Sequence, residues 1–138
     1  DRVQFIQGGR TMSTCLATDV TSAVDYLTQA YKEEAGLYLA VRDTTVRQQM
    51  ALERDADLMR FADLFETKED LLALIGQLDA EMAPAKSVIM SHPPEDTDTR
   101  RKLARLLDHV TEIIEEIRLL ESHNAELLEH VPDTKTAV

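Results

Sequence analysis

The sequence has few of the residues that build disulfide-rich or membrane-spanning proteins. Among its 138 residues there is one cysteine, Cys15, and no tryptophan, with only four glycines and four prolines. A single cysteine excludes an internal disulfide and permits a reducing compartment. We find no run of about 18 apolar residues and no charged region followed by an apolar one, so neither a membrane span nor a signal peptide is predicted. These absences predict a cytoplasmic protein.

Basic residues are also in short supply. Fifteen lysines and arginines stand against 26 aspartates and glutamates, which gives a net charge of −11. The phosphate backbone of a nucleic acid would be repelled, because no cluster of basic side chains offsets this charge. We therefore exclude nucleic acid as a direct partner, whereas acidity alone favours no particular function.

Motifs for catalysis and metal binding are missing as well. The sequence has no glycine-rich phosphate loop, no nucleophile elbow and no pair of cysteines. His109, His123 and His130 are at least seven residues apart, about 10 Å along a helix, so they cannot share one ion. No histidine follows a glutamate at the Glu-x-x-His spacing of di-iron bundles. We predict a non-enzyme without metal or cofactor, in which Glu126 contacts His130 on one helix face.

Apolar residues from Val20 to Leu52 recur at alternating spacings of three and four, the pattern of a helix that packs along a continuous seam. Polar residues interrupt this seam at three positions: Glu34, Thr45 and Gln48. We expect a first helix near 19–53, with a candidate break at residues 43–45 or at 54–55.

A second seam predicts a helix near 56–90 and includes one lysine, Lys68. Pro84 should end or kink this helix, although one more apolar turn follows it. The proline-rich stretch at 92–96 is the clearest loop in the chain.

The third seam runs from Leu103 to Val131 without a slip, about 43 Å at 1.5 Å per residue, and predicts a helix near 97–131. Its apolar face is three residues wide, which is typical of a bundle rather than a two-stranded coil. One asparagine, Asn124, occupies this seam. It is either a tolerated polar residue or sets the register against a partner.

Together the seams predict an all-α fold, an elongated bundle of three long antiparallel helices with coiled-coil-like packing. We expect one helical domain at 13–138. Residues 1–12, which precede a natural-looking start at Met12-Ser13, are interpreted as a flexible leader or a tail of artificial origin.

Residues 51–78, ALERDADLMRFADLFETKEDLLALIGQL, resemble the middle of FlgN-type flagellar export chaperones. The end of the third helix is similar to that family in having an asparagine followed three residues later by paired leucines. The order of a long first helix, a second helix, a proline-rich break and a third helix also fits. The residues that carry the resemblance are Leu52, Asp55, Lys68, Leu71, Leu72, Asn124, Leu127 and Leu128.

The resemblance implies a cytoplasmic chaperone of the flagellar type III export pathway. Its clients would be hook-associated (hook-filament junction) proteins, held by their carboxy-terminal helical segments until export, with the export apparatus as a further partner. In that family the client is gripped by the carboxy-terminal helix. The corresponding residues here are Leu120, Asn124, Leu127, Leu128 and Val131.

The spacing of these residues independently fits a helix-binding surface, because a client helix docks through anchors three, four and seven residues apart. We expect the seam up to Ile117 to pack inside the chain and the last turns to await the client. The acidic flank of Glu121, Glu126 and Glu129 would steer a basic client. The alternative is a structural or regulatory coiled-coil protein acting as a homo-oligomer, in which the same stripe pairs with its own copy in a homodimer.

Overall fold

The computed structural model describes residues 16–131, with side chains from Asp19 onward. Within that range no strand occurs, and no helix is both long and apolar enough to cross a membrane. The predicted all-α fold is confirmed. The predicted leader at 1–12 and Cys15 lie outside the described residues. The elements are α1 (Leu16–Met50), a single π-helical turn (Ala51–Asp55), α2 (Leu58–Ser91) and α3 (Thr97–His130).

The first helix ends at the second of the two predicted positions. Residues 43–45 continue α1, and the hydroxyls of Thr44 and Thr45 donate to backbone carbonyls one turn back. The π-helical turn then ends at Ala56, whose φ of 46° and ψ of 41° are left-handed. Asp57 follows as the N-cap of α2, because its carboxylate accepts a backbone N–H from the first turn.

The second helix does not end at Pro84 but continues to Ser91, close to the predicted range of 56–90. Pro84 is exposed, whereas Ala85 and Ile89 after it pack against the core. Burial of this last apolar turn stabilises the helix beyond the proline. A short loop then leads to Asp96, the N-cap of α3.

The core has two apolar clusters along the bundle. In the first, Leu27 and Tyr31 of α1 meet Leu78 and Met82 of α2, with partly buried residues of α3 packed against them. In the second, α1 meets α3. Its members are Ala35, Val110 and Ile113, flanked by Tyr38, Leu39, Ile114 and Ile117. Val110, Ile113 and Ile117 therefore pack inside the chain as expected, whereas Leu107, which was expected to be covered with them, is 46% exposed.

Contacts between helices show their directions. Gln48 near the end of α1 bonds to Phe61 near the start of α2, so α1 and α2 are antiparallel. Arg42 of α1 bonds to Glu116 in the second half of α3, so α1 and α3 run in the same direction. Consecutive helices thus alternate in direction, as predicted.

Candidate functional site

α1 packs along both of the other helices, whereas α2 and α3 stay apart. Every Cα atom of α2 is more than 8 Å from every Cα atom of α3. Because Cα atoms lie about 2.3 Å from a helix axis, the two axes are about 12 Å or more apart, against about 8–10 Å for packed helices. The side of the bundle opposite α1 is therefore open between α2 and α3.

Six large apolar side chains border this opening, which we call the α2–α3 groove. On each helix they recur at seven residues or a multiple of seven, so each set forms one column along its helix. The six residues are Leu58, Phe65 and Leu72 on α2 and Leu107, Ile114 and Leu128 on α3.

Contacts made by their neighbours show that the two columns face the same space. Glu121 belongs to the α3 column and reaches α2, where its Oε2 lies 2.7 Å from Nζ of Lys68. Phe65 and Leu72 flank Lys68 on one side of α2, at three and four residues. The other flank of α2 includes Leu78, which is buried against α1. The Phe65 and Leu72 side of α2 is therefore turned away from α1.

These apolar side chains are about half exposed. Phe65 and Leu72 keep 48% and 47% of their surface exposed, and Leu107 and Leu128 keep 46% and 39%. Scattered apolar residues on a surface carry no special meaning, but these side chains are grouped in two columns that border one opening. Patches of this kind mark protein-binding surfaces.

A buried polar layer crosses the bundle beside the groove and consists of Thr45, Gln48, Lys68, Glu121 and Asn124. Lys68 is only 4% exposed. Its Nζ donates to Glu121, to Oε1 of Gln48, and to Oγ1 of Thr45 at 3.4 Å. An ammonium group has three N–H donors, so each has an acceptor here. This complete set of partners allows a charged group to be buried.

Asn124 lies in the interior of the bundle rather than on its surface. It is 2% exposed, and its Nδ2 donates to the backbone carbonyl of Thr45 at 3.2 Å. Among the described residues, its Oδ1 has no hydrogen-bond partner. Asn124 is thus a polar seam residue held by the chain's own first helix.

The remaining predicted client-binding residues are divided between two sides of α3. Leu120 and Leu127 are half-buried and lie in the same column as Ile113, which packs against α1. Leu128 lines the groove, and Val131 is half-buried at the end of the helix. The apolar face of α3 is therefore divided around the helix axis, not along its length as the sequence suggested. Contact of these residues with a client stays a prediction.

The two helices that border the groove are both acidic. Residues 107–130 of α3 contain seven acidic residues and one basic residue, Arg118. Residues 58–80 of α2 contain five acidic residues and two basic ones. A helix bound in the groove would therefore meet a negative potential, which favours a basic partner.

A second buried ionisable group is the carboxyl of Glu34 in α1, which lies close to Asp79 of α2. Glu34 is 5% exposed. Burial, and after it the neighbouring carboxyl group of Asp79, raise the pKa of its carboxyl to about 7, while Lys86 opposes the shift. The side chain therefore gains a proton near neutral pH, where ordinary glutamates stay ionised.

Two histidines, His123 and His130, make side-chain contacts within the chain. His130 approaches the backbone carbonyl of Glu126, with 2.8 Å between Nδ1 and oxygen, so this contact is to the backbone and the predicted pairing of the two side chains stays a prediction. His123 lies 3.2 Å from the carboxylate of Glu53, and this contact lowers the pKa of Glu53. In residues 16–131, no group of three or more His, Cys, Asp or Glu side chains could hold a metal ion.

The polar layer was not recognised as a unit in the sequence. Its signal was present, because Thr45, Gln48, Lys68 and Asn124 are all polar residues at seam positions. Within a single helix, each of these residues is only a polar interruption of an apolar seam. Which of them meet depends on how the helices are placed relative to one another.

Comparisons of this chain with protein-family models, with curated proteins and with solved structures give no match.

Proposed function

We propose that this protein is a helix-binding chaperone that accepts an amphipathic helix of its client in the α2–α3 groove. The observation that carries the proposal is the wide separation of α2 and α3, which leaves two columns of large apolar side chains half exposed. A fourth helix at this place would bury both columns and complete a four-helix bundle.

The groove has the dimensions of one helix. Leu107 and Leu128 are 21 residues apart, a distance of about 32 Å along α3. A client segment of about 20 residues would cover it. Such a segment docks through apolar residues three, four and seven apart, and the residues of each wall of the groove are spaced by seven or by a multiple of seven.

The charge around the groove favours a client over a second copy of this chain. A second copy would bring its own acidic flanks, and like charges facing each other weaken an interface. The chain as a whole carries a net charge of −11, which adds to this repulsion. The occupant that fits is an amphipathic helix with basic residues beside its apolar stripe.

The identity of the client is proposed from the resemblance to FlgN-type proteins. On that basis the protein is a cytoplasmic chaperone of flagellar type III export, and its clients are the carboxy-terminal helical segments of hook-associated proteins. The groove supports the helix-binding part of this proposal. The flagellar part depends on the residues that carry the resemblance, among them Lys68 and Asn124, which both belong to the polar layer.

Purified components test this proposal. The protein is mixed with carboxy-terminal fragments of hook-associated proteins, and the mass of the complex is measured by light scattering. We expect one chain bound to one fragment, with amino-terminal fragments of the same proteins as the control that does not bind. A stable homodimer that binds no fragment would contradict the proposal and favour the structural homo-oligomer.

A further inference from the structure

The polar layer reaches the groove at one residue, Glu121. Its side chain is 45% exposed, and its Oε2 is held 2.7 Å from Nζ of Lys68. No described residue donates a hydrogen bond to its other oxygen, Oε1. Glu121 lies between Ile114 and Leu128 in the α3 column, so this oxygen interrupts an otherwise apolar wall.

Facing the groove, the layer offers an acceptor rather than a donor. All three N–H groups of Lys68 have acceptors within the chain. The amide of Asn124 donates to the carbonyl of Thr45, whereas its Oδ1 has no partner among the described residues. The atoms of this layer without any hydrogen-bond partner among the described residues are therefore the oxygens Oε1 of Glu121 and Oδ1 of Asn124. Only the Glu121 side chain is exposed, and a cation or another donor would complement its free oxygen.

A docked helix would remove water from Glu121. If an apolar side chain covered the carboxylate, one of its oxygens would lose its hydrogen bonds to water without replacement. A guanidinium or ammonium group at that place would replace them with a charge-assisted hydrogen bond.

We propose that the helix bound in the groove carries one arginine or lysine within its apolar stripe, and that this residue pairs with Oε1 of Glu121 and fixes the register of the bound helix. The inference rests on the proposed function, since it assigns a feature of the client that the groove accepts. Apolar residues one heptad to either side of the basic residue would then lie against Phe65 and Leu128 at one end and Leu72 and Ile114 at the other.

Synthetic helical peptides test this pairing. Three peptides of about three heptads share one basic-flanked apolar stripe and differ at its central position, which is Arg, Leu or Glu. Their affinities are measured by calorimetry for the wild-type protein and for Glu121→Gln, whose amide oxygen still accepts from Lys68. Glu126→Gln is the matched control, because it removes the same charge from an exposed position of α3 outside the groove column.

We expect the Arg peptide to bind the wild-type protein about tenfold more tightly than the Leu peptide, with the Glu peptide weakest. The advantage of Arg over Leu should fall to about twofold or less in Glu121→Gln and persist in Glu126→Gln. Equal binding of the Arg and Leu peptides, or an advantage that survives in Glu121→Gln, would overturn the inference and leave the proposed function standing. Failure of all three peptides to bind the wild-type protein would contradict both.

Discussion

Lys68 and Glu121 form an ion pair, with Nζ and Oε2 2.7 Å apart, between two helices whose Cα atoms stay more than 8 Å from each other. The pair spans the inner edge of the α2–α3 groove. Lys68 is also bonded to Thr45 and Gln48 of α1, so a single side chain connects all three helices at one level of the bundle.

Replacing Lys68 by methionine tests whether this layer holds the helices together. The change leaves Oε1 of Gln48 buried without its donor and removes the partner of Glu121, so we expect a loss of about 2–4 kcal/mol in the free energy of unfolding. Urea denaturation measures it. Lys32→Met is the control on the exposed side of α1, with an expected change within about 0.5 kcal/mol. Equal stability of the two variants would show that the layer contributes little.

Glu34 predicts a specific dependence of stability on pH. The pKa of its carboxyl is about 7 in the folded protein, against 4.5 ordinarily. Between these values the folded state binds more protons than the unfolded state, so the contribution of Glu34 to stability is fully present below about pH 4.5 and is lost as the pH rises to about 7.

The variant Glu34→Gln removes this dependence. We expect it to be more stable than the wild-type protein by about 1–2 kcal/mol at pH 8 and nearly equal to it at pH 5. Thermal melting at the two pH values measures the difference. Glu33→Gln, its exposed neighbour, should leave the pH dependence unchanged. The raised pKa of Glu34 would be contradicted if the melting temperature of the wild-type protein rose between pH 5 and pH 8 while that of Glu34→Gln stayed constant.

Ala56 has the left-handed backbone that glycine adopts without steric cost. Its φ is 46°, a conformation that costs an alanine roughly 1 kcal/mol or more. Ala56→Gly should therefore raise the free energy of unfolding by about 0.5–1 kcal/mol. Ala73→Gly, at an exposed helical position in α2, should lower it by about 1 kcal/mol. If both changes lower stability, the turn between α1 and α2 is not left-handed.

Leu127 and Leu128 are adjacent in the sequence but lie on different sides of α3. Leu127 shares a column with Ile113, so Leu127→Asp should destabilise the fold by about 1–3 kcal/mol, and Ile113→Asp by about 3 kcal/mol or more. Leu128→Asp changes a groove residue and should alter stability by about 0.5 kcal/mol or less. Urea denaturation measures the free energy of unfolding of these three variants. A fold that tolerates Leu127→Asp as well as Leu128→Asp would place both leucines outside the core.

The fold could be predicted because heptad spacing is a local property of each helix. Leu103 to Val131 repeats without interruption, and the structure has a helix at Thr97–His130. The effect of Pro84 could not be decided from the sequence because it depends on packing: the turn after it is held by the partial burial of Ile89. The sequence offered two positions for the break after α1, residues 43–45 and 54–55. Neither stretch contains glycine or proline, so neither stood out.

The candidate site could be predicted only in part, because a groove depends on how two helices are placed relative to each other. The sequence identifies Leu128 as apolar and at a seam edge, and equally Leu127. Which of them faces α1 depends on the position of α1 relative to α2 and α3. Phe65 and Leu72 are spaced as residues of the second seam, and their spacing does not show whether they face α1 or the groove. Lys68 in that seam was the one residue whose charge signalled a partner on another helix.

Binding of the client by variants at Leu72 and Leu74 tests the account most directly. The two leucines are on α2, have nearly equal exposed fractions of 47% and 49%, and point to opposite sides of the helix because they are two residues apart. With carboxy-terminal fragments of hook-associated proteins in titration calorimetry, Leu72→Asp should abolish binding while remaining folded, and Leu74→Asp should bind as the wild-type protein does. Equal binding by both variants, with both folded, would contradict the assignment of the α2–α3 groove as the helix-binding site.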